Sequence, residues 1–304
     1  RNGKRWREAH EFKTDILFIQ NSYEPTLDKY HSDKWINPVK YYIPYFVTAN
    51  NLHSSNYGTL FHARLWKHYV PTVDHVDDAR SVTWYRRNLI VAGHYKLDKA
   101  RENEYSKPKA DKLIIYAPHH TISCYEGGLA FSTFEKYSSY ILNLVDEYGP
   151  NIYWVFKPHP QLREKLIDHP DWGDEAVANY WEEWRKRDNS EICEGDYHNL
   201  FAQSSALIHD CNSFLAEYAY TGKPFLFLDN KKSDNGLNVF GKKIKNLGYI
   251  ARESYEISEF CREVVLGGND ERKECRVQKL IDLGVARNSE ENIFADVCED
   301  FKIS

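Results

Sequence analysis

The chain has 304 residues, a net charge of −5, and 42% hydrophobic against 28% charged residues, the balance of a globular protein. No stretch approaches the roughly 18–20 apolar residues of a membrane span, and no signal segment with a basic head and apolar core is visible. Six scattered cysteines (Cys124, Cys193, Cys211, Cys261, Cys275, Cys298) form no Cys-x-x-Cys pair, which argues against a disulfide framework or zinc knuckle and predicts buried, reduced thiols in a cytoplasmic protein.

The chain starts at Arg1 and contains no methionine, so it is read as short of a complete reading frame. Residues 1–100 hold 15 Lys/Arg against 10 Asp/Glu, and residues 101–304 hold 25 against 35. The basic part is dense in aromatics: Tyr41-Tyr42, Tyr45-Phe46, Leu65-Trp66-Lys67-His68-Tyr69 and Trp84-Tyr85-Arg86-Arg87. Such a half predicts an anionic acceptor or attachment to a membrane surface, although charges solvated over an aromatic core account for it equally. Residues 15–20 predict a strand, closed by Asn21-Ser22 and Pro25. His53, His62 and His68 stand among aromatics, as packed core residues or as an acceptor-side base. Asp77-Asp78 predicts a solvated turn. Residues 89–92 predict another strand, ending at Gly93. The polar run 96–111 has the composition of an interdomain linker, which places domains at 1–95 and 96–304.

The second part alternates strands and helices. Strands are predicted at 113–117, 152–156, 206–208 and 225–228. Helices are predicted at 131–148, 174–187, 197–204 and 214–220, with a helical tail after Tyr255 in which Val277, Leu280 and Ile281 share a face. A loop carrying His119, His120 and Gly127-Gly128 follows the first of these strands. The short apolar runs read as buried parallel strands of βαβ units, so the class is α/β. Polar residues bunched where such strands end mark a ligand site.

Three groups sit there. In Lys157-Pro-His-Pro160 the prolines fix the backbone, Lys157 offers a point charge for phosphate, and His159 donates to phosphate or moves a proton. In Asp210-Cys-Asn-Ser213, Ser213 or Asn212 predicts the N-cap of a helix whose free amides favour a pyrophosphate. Glu217, one turn beyond Ser213, can accept bonds from ribose hydroxyls. Adjacent His119 and His120 can supply a general base or an oxyanion-stabilising donor. No carboxylate or cysteine stands at ligand spacing beside them, so no metal is expected. Together these residues predict a nucleotide-dependent enzyme.

The succession Val91-Ala-Gly-His-Tyr-Lys-Leu-Asp98, Ile115-Tyr-Ala-Pro-His119, Phe156-Lys-Pro-His-Pro160 and His209-Asp-Cys-Asn-Ser-Phe214 resembles the CDP-glycerol glycerophosphotransferase family, the TagF-like teichoic-acid and capsule polymerases. The resemblance spans about residues 89–230. It implies a GT-B-like architecture, two Rossmann-like domains with parallel sheets facing an interdomain cleft. It also implies metal-independent transfer of a polyol phosphate from a CDP-activated donor to a polysaccharide or lipid-linked acceptor, with CMP leaving and no cofactor. Lys157, His159, Asn212 and Ser213 would then bind the donor phosphates, and Asp210 would support their turn. His119, His120 and His159 are the catalytic candidates.

The chain departs from the family at Asp-Cys-Asn-Ser and Ala-Pro-His-His, where Asp-Tyr-Ser-Ser and Ala-Pro-Thr-Trp are common. It also lacks the family's first-domain His-Gly motif, which leaves the base unassigned. A GT-B glycosyltransferase using a UDP- or CMP-linked sugar fits most of the same residues. So does a non-hydrolysing UDP-sugar epimerase, and so does a non-catalytic module that binds nucleotide sugars. No nucleic-acid partner is expected.

Overall fold

The computed structural model describes residues 14–22, 38–83, 87–102, 109–122, 129–195 and 197–302. The expectations for Pro25, Trp84-Tyr85-Arg86, Cys124, Gly127-Gly128 and the linker segment 103–108 lie outside them. The chain divides into two compact units, one of Arg1–Thr48, Leu52–Tyr95 and Val285–Ser304, the other of Ala49–Asn51 and Lys96–Gly284. No helix of the described residues is long and apolar enough to cross a membrane.

The first unit holds a parallel sheet in the order β1-β2-β3-β4, from β1 (Ile16–Ile19), β2 (Val39–Tyr42), β3 (Lys67–Val70) and β4 (Leu89–Val91). The aromatic clusters supply β2 and β3, which composition alone did not mark as strands. Their alternation divides the rings between two faces. Tyr41 and Tyr69 stack at 6.2 Å on one face, while Tyr42 packs edge-on to Phe61 on the other. The helix Ser289–Phe301 covers the Tyr41–Tyr69 face with Ile293 and Val297. Asp296 accepts from the Tyr69 hydroxyl at 2.8 Å, and Asp300 accepts from the Tyr41 hydroxyl at 2.8 Å. Lys67 reaches both carboxylates at 2.7 Å. The last helix therefore belongs with the first sheet, not with the second domain as expected from sequence order, because two aspartates one turn apart meet these donors.

Gly93 requires its residue type. It has φ +84°, and a Cβ there would stand 2.3 Å from the Ala286 carbonyl oxygen. Two other expectations change. Asp77 and Asp78 lie in the helix Val73–Ala79, with Asp78 buried. The polar run after Gly93 forms the helix Tyr95–Glu102, with Leu97 buried.

The second unit holds six parallel strands in the order β10-β9-β8-β5-β6-β7. They are β5 (Leu113–Ala117), β6 (Tyr153–Phe156), β7 (Ser190–Ile192), β8 (Ala206–His209), β9 (Phe225–Leu228) and β10 (Tyr249–Ala251). The chain builds outward from β5 to β7, then crosses back to β8 on the other side of β5. That reversal makes the adjacent carboxyl ends of β5 and β8 a topological switch point, where open α/β sheets bind ligands.

Helices 134–148 and 173–185 cover one face with a dense aromatic core. Trp184 stacks on Phe156 at 4.9 Å and on Tyr116 at 6.2 Å, with no exposure to solvent. Trp184→Ala is expected to destabilise the chain by about 3–5 kcal/mol, read as a fall in its urea-unfolding midpoint.

Candidate functional site

The strands bring the three predicted groups together at one rim. Beyond the paired residues, Lys157 N donates to Tyr116 O at 2.8 Å and His159 N to Pro118 O at 3.1 Å. These bonds carry the alignment of β5 and β6 into their loops and set the His159 ring against the histidine pair. Ring centroids lie 4.3 Å apart for His119–His120, 5.3 Å for His119–His159 and 4.1 Å for His120–His159.

The hydrogen bonds assign the tautomer of each ring. The Thr121 hydroxyl accepts from the Phe131 and Ser132 amides, which leaves its own hydrogen for His119 Nδ1 at 2.9 Å. Lys165 Nζ lies 2.9 Å from His120 Nδ1, and an ammonium can only donate. The Gln161 amide donates to His159 Nδ1 at 3.2 Å. All three Nδ1 atoms accept, so each neutral ring carries its proton on Nε2.

Burial, together with His120, His159 and Lys165, holds the His119 imidazole well below its usual range. Burial, with His120, Lys165 and Lys157, depresses His159 to about 3. The three rings offer ligand atoms within 4.8 Å of one another, near enough to share a cation. Their lone pairs are nevertheless already engaged, and Lys157 and Lys165 add positive charge. The set is built of donors and suits an anion.

Lys157 is 6% exposed, and among the described residues its ammonium has neither an ion pair nor a hydrogen bond. Asn212 is also buried, with no side-chain partner among the described residues. The helix Asn212–Ala219 starts two residues earlier than expected, with Cys211 at the N-cap and no side-chain capping bond. Ser213 thus lies inside the first turn and pairs its hydroxyl with Cys211 Sγ at 2.8 Å. Burial pushes the Cys211 thiol up to about 11, so it stays neutral.

Asp210 is fully buried and works as a tie. Its Oδ1 accepts from the His119 amide at 2.6 Å, and its Oδ2 accepts from the Thr133 amide at 2.5 Å and hydroxyl at 2.8 Å. It joins the loop after β5, the start of the helix Phe134–Tyr148 and the end of β8. Both oxygens are committed, so Asp210 supports the turn and is not a direct phosphate ligand. Burial pushes its carboxyl up to about 7 against the pull of these donors. Asp210→Asn keeps the shape but turns an amide toward the Thr133 donors. A loss of about 3 kcal/mol is expected by urea denaturation, since bonds to charged groups contribute about 1.5–3 kcal/mol each.

Glu217 lies one turn along the same helix, 2% exposed. It accepts from the Tyr197 hydroxyl at 2.6 Å and from Lys96 at 3.2 Å. Burial raises its carboxyl against the pull of Lys96 and Tyr197. It borders a cavity of about 270 Å³ with Lys96, Lys99, His198, Asn199 and Thr221. Sequence reading missed Lys96, Tyr197, Thr133 and Lys165. Lys96 stood in a motif already quoted, but its polar neighbours read as linker.

Of the first-unit histidines described, His62, His68 and His75 are packed, whereas His53 is half-buried. His62 and His68 stack at 5.5 Å, both buried, and burial depresses both imidazoles, His62 to about 4. His75 lies between the Thr72 hydroxyl and the Thr48 carbonyl. Of the cysteines described, Cys211 and Cys261 are buried as expected, whereas Cys275 is exposed.

No family model matches the chain, and no curated protein matches it by sequence. Solved structures do match it in fold. A variant of the wall teichoic acid polymerase TagF superposes with TM-score 0.61 at 15% identity, over 95% of this chain and 73% of that one. Staphylococcus aureus (S. aureus) MnaA in complex with UDP gives 0.60 at 14%, over 95% and 77%. UDP-GlcNAc 2-epimerase from Neisseria meningitidis bound to UDP-GlcNAc gives 0.56 at 17%, over 95% and 78%. The chain accordingly has a GT-B-like fold of two Rossmann-like α/β units.

Proposed function

We propose that the chain is a transferase that takes a nucleotide-linked donor on the carboxyl rim of its second sheet. Lys157 carries this reading. The Lys157 side chain is largely buried at the rim, and its ammonium, without a protein partner among the described residues, is free to take the counter-charge of a diphosphate. The Nε2–H groups of His119, His120 and His159 donate to the phosphate oxygens. Asn212, Ser213 and the amino-terminal end of their helix hold the remaining ones. Glu217 exchanges Lys96 or Tyr197 for ribose hydroxyls, and the nucleoside fills the cavity beside it.

The finer reading is a CDP-activated polyol, with the protein working in the cytoplasm at the inner face of the membrane. An acceptor hydroxyl of a wall or capsule polymer forms a bond to the β-phosphorus while the phosphorus–oxygen bond to CMP breaks. The electron pair leaves with CMP, and the acceptor proton passes to a base. The three imidazoles have no free lone pair for that proton. Of the two roles expected for them, donation to the transferring and leaving phosphates is the one supported, and the base is another group. No metal or organic cofactor enters this scheme.

A second reading, sugar transfer or epimerisation from a UDP-linked donor, uses the same phosphate cradle. The UDP and UDP-GlcNAc complexes of similar fold favour it. The test is product release. CMP from CDP-glycerol, in the presence of a polyol-phosphate acceptor, supports the leading reading. UDP or UMP release from UDP-sugars with none from CDP-glycerol rejects it, and binding without any release leaves a non-catalytic module.

A further inference from the structure

The polar rim of the second sheet continues past Asp210. Asp229 follows β9 and Arg252 follows β10, the next two strands on that side. Between these ends and the start of the helix Phe134–Tyr148 lies a cavity of about 330 Å³. It falls at the lower end of the about 300–1,000 Å³ of small-molecule sites. Every side chain lining it is polar or charged. Among the described residues it has no aromatic slot for a nucleobase. It mixes carboxylates with cations, which matches hydroxyl groups that both donate and accept.

Its wall is built. Asp229 is 4% exposed and paired with Arg252 at 2.8 Å and Lys245 at 3.3 Å. The Lys231 amide donates to Asp229 Oδ1 at 3.2 Å, and Lys231 takes φ 65°, a left-handed backbone that lysine rarely adopts. Among the described residues its ammonium has no partner. Glu135 also lines the cavity, and among the described residues its one ion pair is a long contact of 3.5 Å to His169 Nε2. Thr133 lines it too and gives its amide and hydroxyl to Asp210, whose other oxygen holds the His119 amide.

We propose that this cavity is a subsite for a hydroxyl-rich sugar or polyol group, gripped by Lys231 and Glu135 and linked through Thr133 and Asp210 to the histidine cluster. Its place in a reaction rests on the donor reading above, whereas its ligand chemistry stands on its own lining. The occupant is either the group transferred from the donor or a unit of the acceptor chain.

Saturation-transfer NMR on the intact chain separates these outcomes, with sn-glycerol 3-phosphate and methyl N-acetyl-β-glucosaminide as probes beside CMP. Transfer to at least one polyol or sugar probe is expected. It should fall at least about fivefold in Lys231→Gly and in Glu135→Gln while transfer to CMP persists. Glycine accepts the left-handed backbone, so the first variant removes the ammonium without refolding the turn. Lys157→Met should do the reverse, losing CMP and keeping the probe. Displacement of the probe by CDP-glycerol assigns the subsite to the transferred group, and coexistence assigns it to the acceptor. No transfer to either probe, or transfer unchanged in both cavity variants, overturns the subsite. Probe binding that follows Lys231 in a chain that binds no nucleotide upholds the subsite and counts against the donor reading.

Discussion

Lys157→Met is expected to weaken nucleotide binding strongly while leaving the free chain at least as stable as the wild type. An ammonium–phosphate bond contributes about 1.5–3 kcal/mol, so affinity should fall by about 10- to 150-fold in a calorimetric titration. The free chain is not expected to lose stability, because Lys157 is 6% exposed and its ammonium is unpaired among the described residues. Methionine spares its desolvation and fills much the same space. This combination separates a ligand-binding lysine from a structural one. A structural Lys157 would show the opposite pattern, with the free chain destabilised and binding intact.

Lowering the pH from 7 to 5 is expected to destabilise both units steeply. Burial depresses six imidazoles: His62, His68 and His75 in the first unit, and His119, His159 and His209 in the second. Unfolding returns each to an ordinary value of about 6.5. The unfolded chain therefore takes up protons that the folded chain refuses. Their contribution is complete above about pH 6.5 and is lost as the pH falls toward folded values of about 3 for His159 and His209 and about 4 for His62 and His75. The slope is about 1.4 kcal/mol per pH unit for each imidazole. Asp210 opposes it, because its raised carboxyl takes a proton on the folded chain first, as the pH falls through about 7. Urea midpoints at pH 7, 6 and 5 measure the sum. A midpoint that stays level over this range would mean that the imidazoles are not held neutral by burial.

The strands β5, β6, β8 and β9 were legible because each is a short run of apolar residues buried on both faces. Tyr41 and Tyr69 belong to strands as well, but Lys40, Lys67 and His68 beside them hid the apolar pattern. The three-residue strands β7 and β10 are too short for any period to show. The position of the helix Ser289–Phe301 depends on Asp296 and Asp300 meeting Lys67 and two tyrosines more than 200 residues away, which no local pattern encodes.

The rim was readable from which strands its residues followed, since the end of a buried parallel strand must turn polar. Their roles were less so. Asp210 read as support for the phosphate turn, but nothing local shows that its oxygens tie the loop after β5 and the start of the helix Phe134–Tyr148 to the end of β8. Ser213 read as a cap, and Cys211 took that position. In Thr221-Gly222-Lys223-Pro224 the glycine stops the helix at φ +75°. Lys223, however, closes a different helix, donating to the Phe201, Ala202 and Ser204 carbonyls at 2.6–2.8 Å.

The donor site on the second unit is most directly tested by calorimetric titration of the intact chain with CMP and CDP-glycerol beside UDP and UDP-N-acetylglucosamine. The expected result is saturable binding of a nucleotide that Lys157→Met weakens by about 10- to 150-fold. Failure of all four to bind, or binding that Lys157→Met leaves unchanged, would contradict it.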